Sequence, residues 1–229
     1  MQRRPRITLT YAQSMDGRIA TATGDSQWIS GAETLRLAHE LRARHDAIMV
    51  GVGTVIADDP QLTCRIDGGR NPHRVILDTT LKTPTSSHVA ADARAIPTTV
   101  FHQRPNPGDP AEPNLAERAA RLTALGVALR PVARARDGLD LRAVLAGLRA
   151  MGFESLLVEG GSRLLTSLYA ARAVDRVILV SAPVVIGAGT EAVRDLGLRR
   201  LADAWRGTTV GVRQAGDDVV WEISFEHDE

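Results

Sequence analysis

Lysine is almost missing from this chain: Lys82 is the only one among its 28 basic residues. Arginine supplies the rest of the positive charge. The bias is compositional over the chain as a whole, and its chemical value is local, because a planar guanidinium grips phosphate through paired bonds where an ammonium acts as a point charge. Cysteine is as scarce. Cys64 stands alone, which excludes an intrachain disulfide and a cysteine-based zinc site. The six histidines show no close metal-ligand spacing, so no metal is expected. A net charge of +1 creates no bulk field that favours nucleic acid or an anionic membrane, and neither partner is expected. No stretch approaches the ~18 apolar residues of a membrane span. The basic start, Met1 to Arg6, is not followed by a long apolar run and does not read as a signal peptide. A cytoplasmic location is the expectation.

What is present is enough to build a core. The chain has 229 residues, 44% of them hydrophobic, which points to a single domain over residues 1–229. Arg6 to Ser14 alternates and carries β-branched residues, as a strand does, with Asp16-Gly17 as a turn. Ser30 and Glu33 match a capping box, opening a helix to about Arg44. Short apolar runs at Asp46–Gly51, Arg74–Asp78, Thr98–Phe101 and Ser155–Glu159 read as buried strands. Helical spacing covers Leu115–Leu125 and Leu139–Met151, with a short strand at Val127–Arg130 between them. Residues 102–114 hold four prolines among HQRPNPGDPAEPN, a surface loop. Gly160-Gly161 opens a helix to about Ala171, and Asp175–Ala182 is another strand. Thr208–Gln214 and Asp218–Phe225 form an antiparallel pair about Ala215-Gly216. Strands alternating with helices predict an α/β fold: a mainly parallel central sheet, an antiparallel C-terminal edge and helices on both faces.

Several segments carry candidate chemistry. At Glu159-Gly160-Gly161-Ser162 an apolar strand ends in a carboxylate and two glycines lead into a helix. Glycines let a phosphate approach the backbone, and a helix N-terminus offers free N–H groups with a partial positive charge. Ser162 and Thr166 add hydroxyls. An ordinary strand-to-helix turn explains the same glycines, and the pattern is not G-x-G-x-x-G. Gly51-Val-Gly53-Thr54 also follows a strand and runs into Asp58-Asp59-Pro60, where two carboxylates either bind ribose hydroxyls or cap a turn. Ser14-Met15-Asp16-Gly17-Arg18 lies at a strand's carboxyl end, the usual place for ligands in open α/β sheets, or is a plain turn. Trp28 either stacks on a flat ring or anchors a loop in the core. Arg42 and Arg65 make a phosphate clamp if they converge. Thr79 and Lys82 are placed to touch a 2′-phosphate if the cofactor is NADPH, or form a surface turn. The apolar runs Val177–Val180 and Pro183–Ile186 suit either core strands or an interface.

Together these segments resemble one family. Ser14-Met-Asp-Gly-Arg18, Ser26-Gln-Trp-Ile29, Gly53-Thr-Val-Ile-Ala-Asp-Asp-Pro-Gln-Leu-Thr63, Pro72-His-Arg-Val-Ile-Leu-Asp78 and Val158-Glu-Gly-Gly161 are similar to the pyrimidine reductases of riboflavin biosynthesis. They occur in the family's order from about residue 6 to 226. The Asp-Asp-Pro-x-Leu-Thr element is the most specific of them. The resemblance implies a dihydrofolate-reductase-like fold, NADPH as cofactor and a homodimer. It implies reduction of the ribosyl group of a ribosylaminopyrimidine 5′-phosphate to ribityl. By the same resemblance Ala12, Trp28, Thr54, Asp58, Thr79 and the run Gly161, Ser162, Arg163, Leu164, Leu165, Thr166 and Ser167 fall on cofactor positions. Ser26, Arg42, Leu62, Arg65 and Glu159 fall on substrate positions. Glu159 is the first choice of catalytic group, stabilising positive charge at an imine on C1′, and Asp58 the second. The zinc deaminase motifs that precede this domain in bifunctional relatives, H-x-E and P-C-x-x-C, do not occur here. A stand-alone reductase is therefore expected. Its base is either the 2,5-diaminopyrimidinone or the 5-aminouracil. The competing readings are a reductase of a pterin or folate on the same scaffold, since fold does not fix substrate, and a non-catalytic NADP-binding module.

Overall fold

The computed structural model describes residues 4–105, 114–136 and 138–227. Strands β1 (Arg6–Ser14) and β2 (Arg18–Thr21) lead to helix α1 (Ala32–Arg44). β3 (Ala47–Gly51) passes directly into α2 (Val52–Asp58), and β4 (His73–Leu77) is followed by the short α3 (His88–Ala91). Next come β5 (Thr98–Gln103), α4 (Leu115–Ala124), β6 (Ala128–Val132), the two-residue strands β7 (Arg134–Ala135) and β8 (Gly138–Leu139), α5 (Leu141–Ala150) and β9 (Ser155–Glu159). Then follow α6 (Ser162–Ala170), β10 (Arg176–Ala182), β11 (Gly189–Glu191), a single 3-10 turn at Leu201–Asp203, β12 (Thr208–Ala215) and β13 (Asp218–Ser224). The sheet class is the one expected: among the described residues the strand pairs are mostly parallel, with an antiparallel edge.

The chain divides into two compact units. The first comprises the N-terminal segment to Pro5, Arg42–Cys64 and Arg70–Leu156; the second comprises Arg6–Leu41, Arg65–Gly69 and Leu157–Glu229. In the first unit β3, β4, β5 and β6 lie side by side and all parallel. Their central residues Ile48, Met49, Val75, Ile76 and Val100 are fully buried, which is why these strands read as unbroken apolar runs rather than alternating ones. Helix α5 begins at Asp140, whose carboxylate accepts from the amides of Arg142 and Ala143 at 3.0 and 3.2 Å, a side-chain cap. Gly147 lets α5 approach Phe101 of β5, where a Cβ would lie 3.1 Å from the ring.

In the second unit β10 pairs parallel with β1 and antiparallel with β13, and β13 pairs antiparallel with β12. Ile7, Leu9, Val177, Ile178, Leu165 and Leu168 are buried. The apolar run in β10 is thus core, whereas Val184 and Val185 of the following run are exposed.

Some sequence expectations need correction. Helix α1 starts at Ala32, one residue later than a Ser30 cap would give, with Glu33 in its first turn. Gly31 occupies the cap position, and its amide donates to Asp218 Oδ2 at 2.8 Å while the Thr34 hydroxyl donates to the same oxygen at 3.0 Å. A carboxylate from a distant strand therefore satisfies the cap residue's amide, the task of the glutamate in a capping box. The residues after Gly51 are not a turn but the helix α2. Strand β5 continues through His102 and Gln103, both buried, so the proline-rich loop starts later than expected; its residues 106–113 lie outside the described residues. The short β2 and β11, paired antiparallel, and α3 had no sequence counterpart.

Candidate active site

In the first unit the candidate residues follow the carboxyl ends of neighbouring parallel strands. Gly51 of β3 pairs with Leu77 of β4, so α2, carrying Thr54 and Asp58, begins beside the turn that carries Thr79. That turn is rigid. Asp78 is fully buried and accepts from the amide and hydroxyl of Thr83 at 2.6 and 2.7 Å, and the carbonyl of Thr79 accepts from the Gln103 amide at 3.0 Å. Thr54 and Thr79 are half-buried. Asp58 ends α2 with its surface open to solvent. Partial desolvation raises its carboxyl above the usual range, and a carboxylate at a helix C-terminus is unfavourable in the same direction.

The chain then bends sharply. Asp59 is left-handed, as is Leu62, and Leu62 is buried. Arg42 of α1 donates from Nη1 to the Thr63 carbonyl at 3.1 Å, which draws it to the same segment. Arg42, Leu62 and Asp58 are thereby gathered around one loop.

In the second unit the key junction joins β9 to α6. Glu159 ends the strand and is half-buried. Gly160 and Gly161 then take φ values of 66° and 81°, a region in which glycine carries no Cβ penalty. Gly161, having no side chain, gives the helix no local side-chain cap, and the amides of Leu164 and Leu165 return to its carbonyl at 2.9 and 3.0 Å. Ser162 is buried, as are Leu164 and Leu165, while Arg163 and Ser167 face solvent. The Thr166 hydroxyl donates to the Ser162 carbonyl at 2.6 Å, and Ser167 donates to the Arg163 carbonyl at 2.9 Å. These protons are directed back into the helix. Arg194 was not foreseen: its amide donates to Thr166 Oγ1 at 3.0 Å and its Nε to Ser162 Oγ at 3.3 Å. It lies far along the chain in a stretch without a motif, so nothing in the spacing could have pointed to it.

Elsewhere in this unit Ala12 lies in β1 opposite Val180 of β10. Ser26 is half-buried in the turn held by Thr21 and Asp25. Trp28 is 72% exposed, which removes the core-anchor alternative. Arg65 is exposed, and its amide donates to His39 Nδ1 at 3.2 Å. The Asp16 motif is more than a turn. Ser14 donates its hydroxyl to Asp16 at 2.6 Å, and the amides of Ile186 and Gly187 donate to the same carboxylate at 3.1 and 2.6 Å. These bonds, the serine's first, hold the Asp16 carboxyl down at about 2. Arg18 completes the clamp through the Gly187 carbonyl and Glu191.

Each unit by itself offers backbone that a nucleotide can approach. An added Cβ at Gly53 or Gly160 would meet nothing within 4 Å, so the backbone at both junctions is open to close approach. The start of α6 has the partial positive charge of any helix N-terminus, and Trp28 presents an exposed aromatic face. Among the described residues no group of three histidine, cysteine, aspartate or glutamate side chains could hold a metal ion.

The family described as RibD C-terminal domain matches residues 5–221. The chain is 39% identical to a 2,5-diamino-6-ribosylamino-4(3H)-pyrimidinone 5′-phosphate reductase of Methanothermobacter thermautotrophicus, over 97% of this chain and 99% of that protein. It is 37% identical to the riboflavin biosynthesis protein RibD of Aquifex aeolicus, covering 96% of this chain but only 57% of the relative. A crystal structure from Thermotoga maritima, a diaminohydroxyphosphoribosylaminopyrimidine deaminase/5-amino-6-(5-phosphoribosylamino)uracil reductase, superposes with a TM-score of 0.76 at 29% identity, over 97% of this chain and 57% of that one.

Proposed function

Because the chain belongs to the RibD C-terminal domain family, we propose that it is an oxidoreductase of riboflavin biosynthesis that reduces the ribosyl group of a ribosylaminopyrimidine 5′-phosphate to ribityl. The relative matched along 99% of its length is named for the 2,5-diaminopyrimidinone, which favours that base over the 5-aminouracil. The observation that carries the reading is the β9–α6 junction, where a carboxylate at the strand's end stands two residues before a glycine-opened helix start. NADPH is the proposed cofactor, and when bound it supplies the reducing equivalents.

The chain's own residues have separable tasks. The start of α6, in the run Gly161 to Ser167, would hold the phosphates of the cofactor, and Trp28, Ala12, Thr54, Asp58 and Thr79 would hold the rest of it. Arg42 and Arg65 grip the sugar phosphate, and Ser26 and Leu62 border the base and ribose. Ring opening of the glycosylamine gives an imine at C1′. The Glu159 carboxylate stabilises the positive charge that develops there and directs the proton on the glycosyl nitrogen. Asp58, with its raised affinity for a proton, serves as an auxiliary donor. Holding two reactants in contact contributes more than either carboxylate, up to about 7–11 kcal/mol in favourable systems.

Residues 1–229 act as a single reductase domain, which calorimetry would show as one cooperative transition. The enzyme works in the cytoplasm as a homodimer, with the exposed Val184 and Val185 supporting an apolar contact; sedimentation velocity checks the state. Steady-state NADPH oxidation tests the function. Turnover is expected with a ribosylaminopyrimidine phosphate and not with dihydrofolate. Turnover with dihydrofolate alone would identify a folate reductase, and cofactor binding without turnover on any substrate would leave a non-catalytic module.

A further inference from the structure

The segment Asp58–Leu62 is held in a conformation it would not choose. Asp59 at φ 40° and Leu62 at φ 53° are both left-handed without being glycine, a geometry that crowds Cβ against the backbone. Pro60 fixes φ between them. Such backbone persists only where its surroundings over-determine it. Two holds are visible. The Asp59 carboxylate accepts from the His88 amide at 2.9 Å and pairs with His88 Nδ1 at 2.9 Å. The Gln61 carbonyl, immediately before Leu62, accepts from Nη1 of Arg74 at 3.3 Å.

Arg74 is an unusual residue for its place. It lies in β4 with no exposed surface. Its Nε donates to Thr98 Oγ1 at 2.9 Å, and its Nη2 donates to Asp92 Oδ1 at 2.6 Å and to the Ile96 carbonyl at 2.8 Å. One guanidinium therefore joins three stretches of chain: β5, the turn after α3, and the loop that ends at Leu62. Burying a cation is costly, and a packed apolar side chain usually serves stability as well or better. Fold stability is thus a weak reason for an arginine here. Its fork geometry, which reaches several acceptors at fixed angles, is a strong one.

We propose that Arg74 is a positioning residue for the substrate. It fixes the Gln61 carbonyl and through it the left-handed Leu62, and it touches neither substrate nor cofactor. The proposal rests on the reading of Leu62 as a substrate contact. Arg74→Lys keeps the charge but cannot span the three stretches. The folded variant is expected to show a substrate KM about tenfold higher with the KM for NADPH unchanged, and faster amide exchange in the peptide covering Asp59–Leu62. Loss of global stability alone lowers the active fraction and moves neither KM. Asp92→Asn alters a partner whose side chain is 40% exposed and is the variant that decides the matter if Arg74→Lys does not fold; its substrate KM should rise about threefold. Wild-type KM values in whichever variant folds, with unchanged exchange at Leu62, overturn the proposal. A wild-type enzyme that turns over no ribosylaminopyrimidine phosphate refutes the functional reading instead, and the exchange measurement then still decides whether Arg74 holds the loop.

Discussion

Two strand-to-helix junctions in this protein look alike on paper and differ in the chain. At β3–α2 the cap residue Gly51 has φ −81° and ψ 154°, an extended geometry open to any residue. At β9–α6 both Gly160 and Gly161 have positive φ. The first pair of glycines, Gly51 and Gly53, answers no demand of the backbone; a Cβ at either would meet nothing within 4 Å, so the glycines keep a surface clear. The second pair is needed to turn the chain. A glycine-rich turn after a strand therefore carries two separate meanings, space and conformation, and only the dihedral angles tell them apart.

Substitutions sharpen that contrast, beginning with the group that the second junction presents. Glu159→Gln is expected to reduce the single-turnover rate by about 10²–10⁴ while NADPH binding, measured by calorimetry, is unchanged. A near-wild-type rate would remove Glu159 from the chemistry. Gly160→Ala should cost about 1–2 kcal/mol of stability, the penalty of a left-handed residue with a Cβ. Gly53→Ala lies within a helix and should be neutral or stabilising by up to about 1 kcal/mol. Both should weaken NADPH binding. Equal losses in denaturation midpoint would show that the two junctions are not different after all.

A smaller effect separates the two carboxylates that flank β3 and α2. Asp46 precedes the strand; burial alone would raise its carboxyl, but the Ser155 hydroxyl, Arg70 and the amides of Glu154 and Ser155 together lower it from 3.8 to about 2. Asp58 at the far end is shifted upward. A depressed folded value means the native state favours ionised Asp46. Its contribution is complete above the unfolded value near 3.8 and is lost as the pH falls through about 2. With the side chain 29% exposed, about 1–2 kcal/mol is expected. The stability gap between wild type and Asp46→Asn in urea should thus be widest at neutral pH and close in acid. A gap that grows on acidification contradicts this assignment.

How much of this was legible in the sequence depends on the distance over which each feature is decided. β1, β9 and β10 announce themselves because their apolar residues answer directly to burial. Helix α5 does so because its apolar spacing and Asp140 are both local. Helix α2 does not: Val52, Gly53, Thr54, Val55 and Ile56 are poor helix formers, and the helix has no side-chain cap. Ser30 is one residue short of the actual cap, and the Gly31 amide is held by Asp218, remote in sequence. In the candidate site, Glu159, Gly161 and Asp58 stand in recognisable motifs. Arg74 also lies in a motif, but its burial does not show in a string of letters, and the partners that explain it come from three separate stretches. Arg194 has no motif at all.

The account stands most directly on the product of one reaction. Incubated with NADPH and 2,5-diamino-6-ribosylamino-4(3H)-pyrimidinone 5′-phosphate, the enzyme should yield a compound two hydrogens heavier by mass spectrometry, with one NADPH oxidised per product formed. Unchanged substrate mass alongside unchanged NADPH, with this compound and with its 5-aminouracil counterpart, would contradict it.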